Sequence, residues 1–239
     1  MTVLAMSLCG PLQSWGSHSR FTTRGTDAAP TKSGILGLLA AAKGLRRTDP
    51  LEDLLSLRLA VRVDQPGVIV RDFQVARSLD GRQTMPLSYR FYRGDARYLV
   101  GLQGDEGLLV GIQQTLERPV FPLYLGRRAC PPSEPIAPTL LEGDLKDLLL
   151  QHPWIASSQW ERRRGRPASL AFHIDEGCEL GDIRVAQRDT VRDIPISFDP
   201  SNRQYSWRTV LMGWVPLPGS ERPEDASDPH DHNPMGVVN

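Results

Sequence analysis

Residues 31–34 combine hydroxyl groups, an amine and a glycine at the start of a predicted helix, a pattern suited to phosphate binding. They follow Pro30 and precede a leucine- and alanine-rich run at 35–45, which predicts a helix capped by Thr31 or Ser33. Free backbone N–H groups and the helix dipole can hold a phosphate at such a position. Simple capping of the helix is the structural alternative. The predicted phosphate-binding residues are Lys32, Ser33 and Gly34.

Residues 25–33 also approach the phosphate-loop pattern GxxxxGK[ST] of NTPases, with one residue more than the pattern between Gly25 and Thr31. Thr31 stands where the second glycine belongs, and Pro30 removes a backbone donor nearby. The segment follows a predicted loop, whereas the phosphate loop of an NTPase follows a strand. An NTPase is therefore a weakly supported alternative, which an absence of ATP binding would exclude.

The predicted loop at 9–30 interleaves aromatic and basic residues. Such a loop suits single-stranded RNA, because bases stack on rings and arginines pair with phosphates. Burial in the core is the alternative for Trp15, since large aromatic side chains are highly buried on average. His18 could act as a general base on a 2′-hydroxyl, which leaves a metal-independent endoribonuclease as an alternative function. The predicted RNA contacts of this loop are Gln13, Trp15, Arg20 and Arg24.

Residues 71–93 form an arginine-rich excursion between two predicted strands. Five arginines alternate there with phenylalanine and tyrosine. Charge runs are usually solvated faces, but aromatic rings between them would be exposed without a partner. We therefore predict an interaction arm. Its predicted RNA contacts are Arg77, Arg82, Arg90 and Tyr92.

Two further basic segments occur in the chain. In residues 124–132, Gly126 would let the backbone approach a ligand closely. Predicted RNA contacts here are Tyr124, Arg127 and Arg128. The second segment, Arg162–Arg166, is non-specific alone and is more typical of an exposed loop. No zinc signature and no nucleophile elbow occur in the sequence, so neither a metal, another cofactor nor a catalytic residue is predicted.

The elements that would position these residues follow the order β-α-β-β-α-β. Alternation and helical periodicity predict an α+β, ferredoxin-like (RRM-like) unit. Its predicted strands are 3–8, 57–63, 96–102 and 120–125, a strand starts at 68–70, and its helices are 35–45 and 105–117. Such a unit leaves one sheet face free, and the RRM uses that face for RNA.

The second half is a smaller, strand-rich region. The predicted organisation is a ferredoxin-like domain at 1–132 with the arm at about 71–93, then a C-terminal region at 133–218 packed on it. Residues 219–239 are rich in proline and acidic residues, which predicts a disordered tail. Elements predicted in the second half are a helix at 144–151 and strands at 169–174, 183–187 and 205–215.

The overall net charge of zero hides a basic body. Five acidic residues and one arginine fall in residues 219–239, which leaves the rest of the chain with a net charge of +4. Only three of the 28 basic residues are lysines, and arginine is the better phosphate ligand. An arginine-favouring genome is the alternative cause. Three scattered cysteines and the lack of any signal peptide or long apolar run predict a cytoplasmic protein with no membrane contact.

Four segments, in this order, resemble one family: the CasD-type subunits of the type I-E CRISPR Cascade complex, within the RAMP superfamily. Any one segment would be weak evidence for the family, but four segments with matching separations are specific to it. The resemblance spans about residues 1–132. The segments are Leu8–Gly16, Pro30–Leu39, Asp95–Val100 and Pro122–Pro131.

The resemblance implies a ferredoxin-like domain with a thumb-like hairpin and a non-catalytic role. Such a subunit holds the 5′ handle of the crRNA at one end of the complex. Its implied partners are the crRNA, the adjacent backbone subunit and the large PAM-reading subunit, with target DNA held by the whole complex. In type I-C relatives the equivalent subunit cleaves RNA with a tyrosine, a lysine and a histidine. His18 and Lys32 are present here, but no such triad aligns.

Overall fold

The computed structural model of the protein describes residues 1–17, 19, 20 and 22–219, with the side chains of residues 19 and 20 excepted. The strands are β1 (Thr2–Gln13), β2 (Ser19–Arg20), β3 (Thr23–Arg24), β4 (Arg58–Gln65), β5 (Val68–Gln74), β6 (Ser88–Gln103), β7 (Thr139–Glu142), β8 (Ser169–Asp175), β9 (Val185–Ser197) and β10 (Gln204–Pro216). The helices are α1 (Lys32–Lys43), α2 (Glu52–Leu55), α3 (Glu106–Glu117), α4 (Leu145–Gln151) and α5 (Ser158–Arg164). The predicted tail at 219–239 lies outside the described residues from position 220 onward.

A four-stranded antiparallel unit with the order β7-β1-β6-β4 forms the first part of the sheet. Together with α1 and α3 it has the β-α-β-β-α-β connection of a ferredoxin-like unit, which confirms the predicted α+β class. Pairing is in continuous register from Val3 opposite Gln103 to Gly10 opposite Ala96. The long strand β6 is therefore the central support of both the sheet and the arm.

The prediction of the fourth strand at 120–125 is wrong. Those residues close the end of α1 instead, because the N–H groups of Val120 and Phe121 donate to the carbonyl oxygens of Ala42 and Ala41. A helix leaves its last carbonyls without intrahelical partners, and this segment satisfies two of them. Strand β7 takes the edge position beside β1. The predicted domain boundary at residue 132 thus precedes the strand that completes the unit.

Two cores cover the two faces of the sheet. Leu4 and Met6 of β1 belong to the core that packs under α1 and α3. Val3 and Ala5 belong to the second core, which packs against α4. Because side chains alternate along a strand, a strand buried on both faces is apolar almost throughout. This explains the unbroken apolar run at the start of the chain.

The C-terminal strands extend the same sheet. Strand β8 pairs with β4, β10 pairs with β8, and β9 pairs with β10, all antiparallel. The predicted strand at 183–187 starts at Val185 but continues to Ser197. The edge of the sheet and the turn between β9 and β10 therefore lie on the α1 side of the molecule, where α1 contacts β9.

The excursion at 71–93 is a hairpin ribbon made of β5 and the first half of β6. Apolar side chains of β5 are exposed: Val68 is 50% exposed, Ile69 52% and Phe73 68%. An isolated two-stranded ribbon buries little apolar surface of its own. The ribbon fits an interaction arm. No helix in the part of the chain described is long and apolar enough to cross a membrane.

Candidate nucleic-acid interface

A cleft of about 820 Å³ lies between α1, the segment 121–131 and the turn joining β9 to β10. Four arginines line it, and no acidic side chain among the described residues does. Its floor is made by small residues of α1. The arginines are Arg46, Arg47, Arg128 and Arg203, and the floor residues are Gly34, Gly37, Ala40 and Ala41.

Aromatic rings stand on both sides of this floor. Phe121 and Tyr124 lie on one side, and Phe198 and Tyr205 lie on the other. The rings of Phe198 and Tyr205 meet edge to face, with centroids 6.5 Å apart and an interplanar angle of 68°. Arginines at the rim and aromatic rings along the walls form the combination that binds a single nucleic-acid strand through phosphates and bases.

A cluster of three arginines lies at the base of the arm. Arg24 of β3 lies opposite Arg90 of β6 in the strand pairing. Arg127 Nη2 donates to the carbonyl oxygens of Arg24 and Gly25 at 3.0 and 3.3 Å. The Arg127 guanidinium also lies 4.8 Å from the centroid of the Tyr92 ring. Arg127 therefore fixes the loop at 24–25 against the arm.

Two guanidinium atoms of this cluster are buried without a hydrogen-bond partner, Arg90 Nε and Arg127 Nη1. A buried donor without a partner costs about 1–3 kcal/mol, more when the group is charged. Both atoms are enclosed, so an anion reaches them only if neighbouring side chains move. The cluster's chemistry as a phosphate contact rests on its three guanidinium groups, which are good phosphate ligands.

The structure corrects the role predicted for Gln13 and Trp15. Both are buried, with 0% and 1% of their surface exposed. Trp15 Nε1 donates to Gln13 Oε1 at 3.1 Å, and Gln13 Nε2 donates to the Ala96 carbonyl at 2.8 Å. The two side chains satisfy one another and β6, so they support the cleft from beneath and do not offer groups to RNA.

Lys32 and the start of α1 also require correction. Lys32 is buried, and its Nζ lies 2.7 Å from Asp175 Oδ2. The Lys32 N–H donates to Asp193 Oδ2 at 2.7 Å, and the Gly34 N–H donates to Thr31 Oγ1 at 3.2 Å. A carboxylate and the cap therefore occupy the place predicted for a phosphate. Lys32 cannot serve as the lysine of a phosphate loop or as a ligand in the cleft.

The remaining predicted contacts fall into three groups. Ser33, Gly34, Tyr124 and Arg128 line the cleft. Tyr92 is buried beneath Arg127. Arg77 and Arg82 lie at the tip of the arm and do not line the cleft; Arg82 is strongly exposed and weakly paired with Asp80 at 3.8 Å. His18 and the side chain of Arg20 lie outside what the structure describes.

Three arginines and one tyrosine of the cleft were not predicted from the sequence. Arg46 and Arg47 follow the end of α1, where cations also complement the helix dipole, so their local pattern has an ordinary explanation. Arg203 and Tyr205 stand in and after a polar turn. Only the folding of the β9–β10 hairpin over α1 brings them to the cleft.

Burial shifts the pKa values of several titratable groups outside the cleft. Burial raises the pKa of the Cys9 thiol to about 11, and its hydrogen bond to Glu134, with Sγ 2.8 Å from Oε1, acts in the same direction. Burial likewise raises the pKa of Cys178 to about 11. Burial, followed by the charge of Arg208, lowers the pKa of His173 to about 4. At neutral pH these groups are uncharged.

Close backbone contacts make glycine necessary at Gly126. Its φ is +86°, and a Cβ there would overlap the Ser14 carbonyl oxygen. Hydrogen bonds join the same two segments, since the Ser14 N–H donates to the Leu125 carbonyl at 3.1 Å. The cleft wall at 124–128 is therefore held directly on the end of β1.

Replacing Gly34 by alanine should destabilise the protein, whereas replacing Gly37 should not. A Cβ at Gly34 would lie 2.8 Å from Trp15 Cε3, but one at Gly37 would lie 3.6 Å from Phe198. Alanine gains about 1 kcal/mol in a helix, while overpacking costs about 1–3 kcal/mol. We expect Gly34→Ala to lower the free energy of unfolding by up to ~2 kcal/mol and Gly37→Ala to be neutral or stabilising in urea denaturation. Equal effects would contradict the tight contact with Trp15.

Comparisons with known proteins agree with this architecture. The family model of the CRISPR-associated protein Cas5 matches residues 3–211. The CRISPR system Cascade subunit CasD of Escherichia coli strain K12 is 32% identical over 156 residues, which cover 56% of this chain and 68% of that protein.

Two solved structures share the fold over most of the chain. One, described as the crystal structure of a Cas protein, is 33% identical with a TM-score of 0.68 and covers 90% of this chain and 97% of its own. The other, from a CRISPR RNA-guided surveillance complex, is 28% identical with a TM-score of 0.71 and covers 91% of each chain. The match therefore includes the C-terminal strands as well as the ferredoxin-like unit.

Proposed function

Because the chain belongs to the Cas5 family of CRISPR-associated proteins, we propose that it is a crRNA-binding subunit of a Cascade-type surveillance complex. In this role it holds the 5′ handle of the crRNA and caps that end of the assembly. The similarity to CasD and to a chain of an RNA-guided surveillance complex supports the assignment. The role is structural, and the protein acts in the cytoplasm.

The acid-free cleft is the observation that carries the proposal. Its arginines and aromatic walls would take the backbone and bases of a single RNA strand. The cluster of Arg24, Arg90 and Arg127 would bind the phosphates where the strand leaves the cleft for the arm, since it joins three guanidinium groups beside the cleft wall at 124–128. Tyr124 and Arg128 contribute from the same wall.

The arm is the proposed docking element. Its exposed Val68, Ile69 and Phe73 offer apolar surface to a neighbouring protein. We assign this surface to the adjacent backbone subunit, with the large PAM-reading subunit as a second neighbour. Target DNA is then held by the assembled complex. Arg77 and Arg82 at the tip would contact the crRNA beyond the cleft.

Binding of a labelled crRNA with and without its 5′ handle, in EDTA, tests the proposal with the full chain. We expect intact RNA that is retained only when the handle is present, because the handle is the segment that we assign to the cleft. Equal retention of both RNAs would contradict handle binding. A discrete cut within the repeat would instead establish a metal-independent endoribonuclease, and its disappearance in His18→Ala would identify the base.

A further inference from the structure

A second basic surface lies on the opposite side of the sheet from the cleft. It consists of the C-terminal turn of α5 and the residues that follow it. Trp154, which precedes α5, packs against the core under α4, whereas the cleft is built on α1. Residues 158–166 contain four arginines and one acidic residue, a net charge of +3. The arginines are Arg162, Arg163, Arg164 and Arg166, and all four are exposed.

Two of these arginines are stacked on indole rings. The Arg164 guanidinium lies 5.7 Å from the centroid of the Trp160 ring, and that of Arg166 lies 5.6 Å from the Trp154 ring. Cation–π contacts orient a guanidinium while leaving its edge free to donate hydrogen bonds. The edge of Arg164 faces outward in this way, whereas Arg166 also pairs with Glu161, with Nη1 3.6 Å from Oε1. Because a guanidinium already covers each ring, the surface favours phosphate contacts over stacking of unpaired bases.

The surface rests on a rigid base. Ser157, the N-cap of α5, donates through its N–H and its hydroxyl to Gln65 Oε1 at 3.0 and 3.2 Å. The Ile155 N–H donates to Asp64 Oδ2 at 2.9 Å, and Asp64 is itself held by the fully buried Arg62. The helix ends at Gly165, whose N–H donates to the Glu161 carbonyl at 2.8 Å. The arginines are therefore presented from a fixed scaffold.

We propose that this surface binds the phosphate backbone of a DNA duplex without reading its sequence. A duplex carries about one phosphate charge per 1.7 Å of axis. The four arginines fall within residues 162–166, about 7 Å of chain at the helical rise of about 1.5 Å per residue, which matches about four phosphate charges along the duplex axis. RNA in the cleft lies on the other face of the sheet, so the two nucleic acids can bind at once. None of these four arginines takes part in the proposed binding of the crRNA handle.

The test is fluorescence anisotropy of the full chain with a fluorescein-labelled DNA duplex of unrelated sequence, over a series of salt concentrations. The variant Arg162→Ala with Arg163→Ala removes two exposed charges and spares the stacked arginines. We expect it to weaken duplex binding by about tenfold and to reduce the log–log salt slope by about 1.8, or ~0.9 for each phosphate that is no longer neutralised. Handle RNA should bind as before.

A matched control removes two exposed arginines outside both surfaces, Arg118→Ala with Arg188→Ala. It should leave duplex affinity and slope close to those of the parent protein. An equal reduction in the control, or an unchanged slope in the patch variant, would overturn the proposal. Single-stranded DNA binding as tightly as the duplex would also overturn it. Failure of the handle RNA alone would count against the proposed function and leave this inference standing.

Discussion

Replacing Arg208 by methionine should lower the free energy of unfolding by about 3–5 kcal/mol. Arg208 is largely buried and forms ion pairs with two carboxylates. Its Nε and Nη2 donate to Asp193 at 2.6 and 2.9 Å, and its Nη1 donates to Asp175. Without the guanidinium, Asp193 keeps the N–H of Lys32, but most of its charge is left buried without compensation. Urea denaturation followed by tryptophan fluorescence measures the change in stability.

Two further variants test whether the loss of stability comes from the buried ion pairs of Arg208. Arg188→Met removes an exposed arginine that pairs with Glu176 at 3.1 Å, and it should cost at most about 1 kcal/mol. Combining Arg208→Met with Asp193→Leu removes the guanidinium and one of its two carboxylates, while Asp175 keeps its ion pair with Lys32. The double variant should recover part of the stability, because an apolar pair often replaces a buried ion pair at little cost. If Arg208→Met alone were as stable as the parent protein, the ion pairs of Arg208 with Asp175 and Asp193 would not be what joins α1 to the C-terminal strands.

The elements were predictable from the sequence where a local pattern determines them. Alternation and periodicity placed β4, α1 and α3, and the resemblance to one family implied the same ferredoxin-like unit with a hairpin. The strand expected at 120–125 failed because a tertiary contact competed with a local apolar pattern. Val120 and Phe121 satisfy the carbonyls at the end of α1. No feature within the segment itself signals that role.

The site could be predicted in part, for a similar reason. Tyr124 and Arg128 were recognisable because a glycine and two arginines follow one another after an apolar run. Lys32 was misassigned because its partners, Asp175 and Asp193, lie 143 and 161 residues away. A sequence shows that a cation is present but not that a distant carboxylate neutralises it. Arg203 reaches the cleft only through the β9–β10 hairpin.

Replacing Arg128 and Arg203 together by alanine should weaken binding of handle RNA by about 10- to 100-fold at physiological salt. These two exposed arginines stand on opposite walls of the cleft, so a strand between them would contact both. Charge-assisted hydrogen bonds contribute about 1.5–3 kcal/mol when buried and less at an exposed rim. The log–log salt slope should fall by about 1.4, or ~0.7 for each phosphate of a single strand that the variant no longer neutralises.

Two further variants distinguish weaker RNA binding from a loss of folding stability in this experiment. The variant Arg118→Ala with Arg188→Ala removes the same charge away from the cleft and should change the slope little. Arg127→Ala should weaken binding and also lower stability, because Arg127 donates to the carbonyls of Arg24 and Gly25 and covers Tyr92. If the cleft variant kept the parent slope, the strand would not run between these walls. The arm base, with its two unpartnered donors, would then be the primary site of RNA binding.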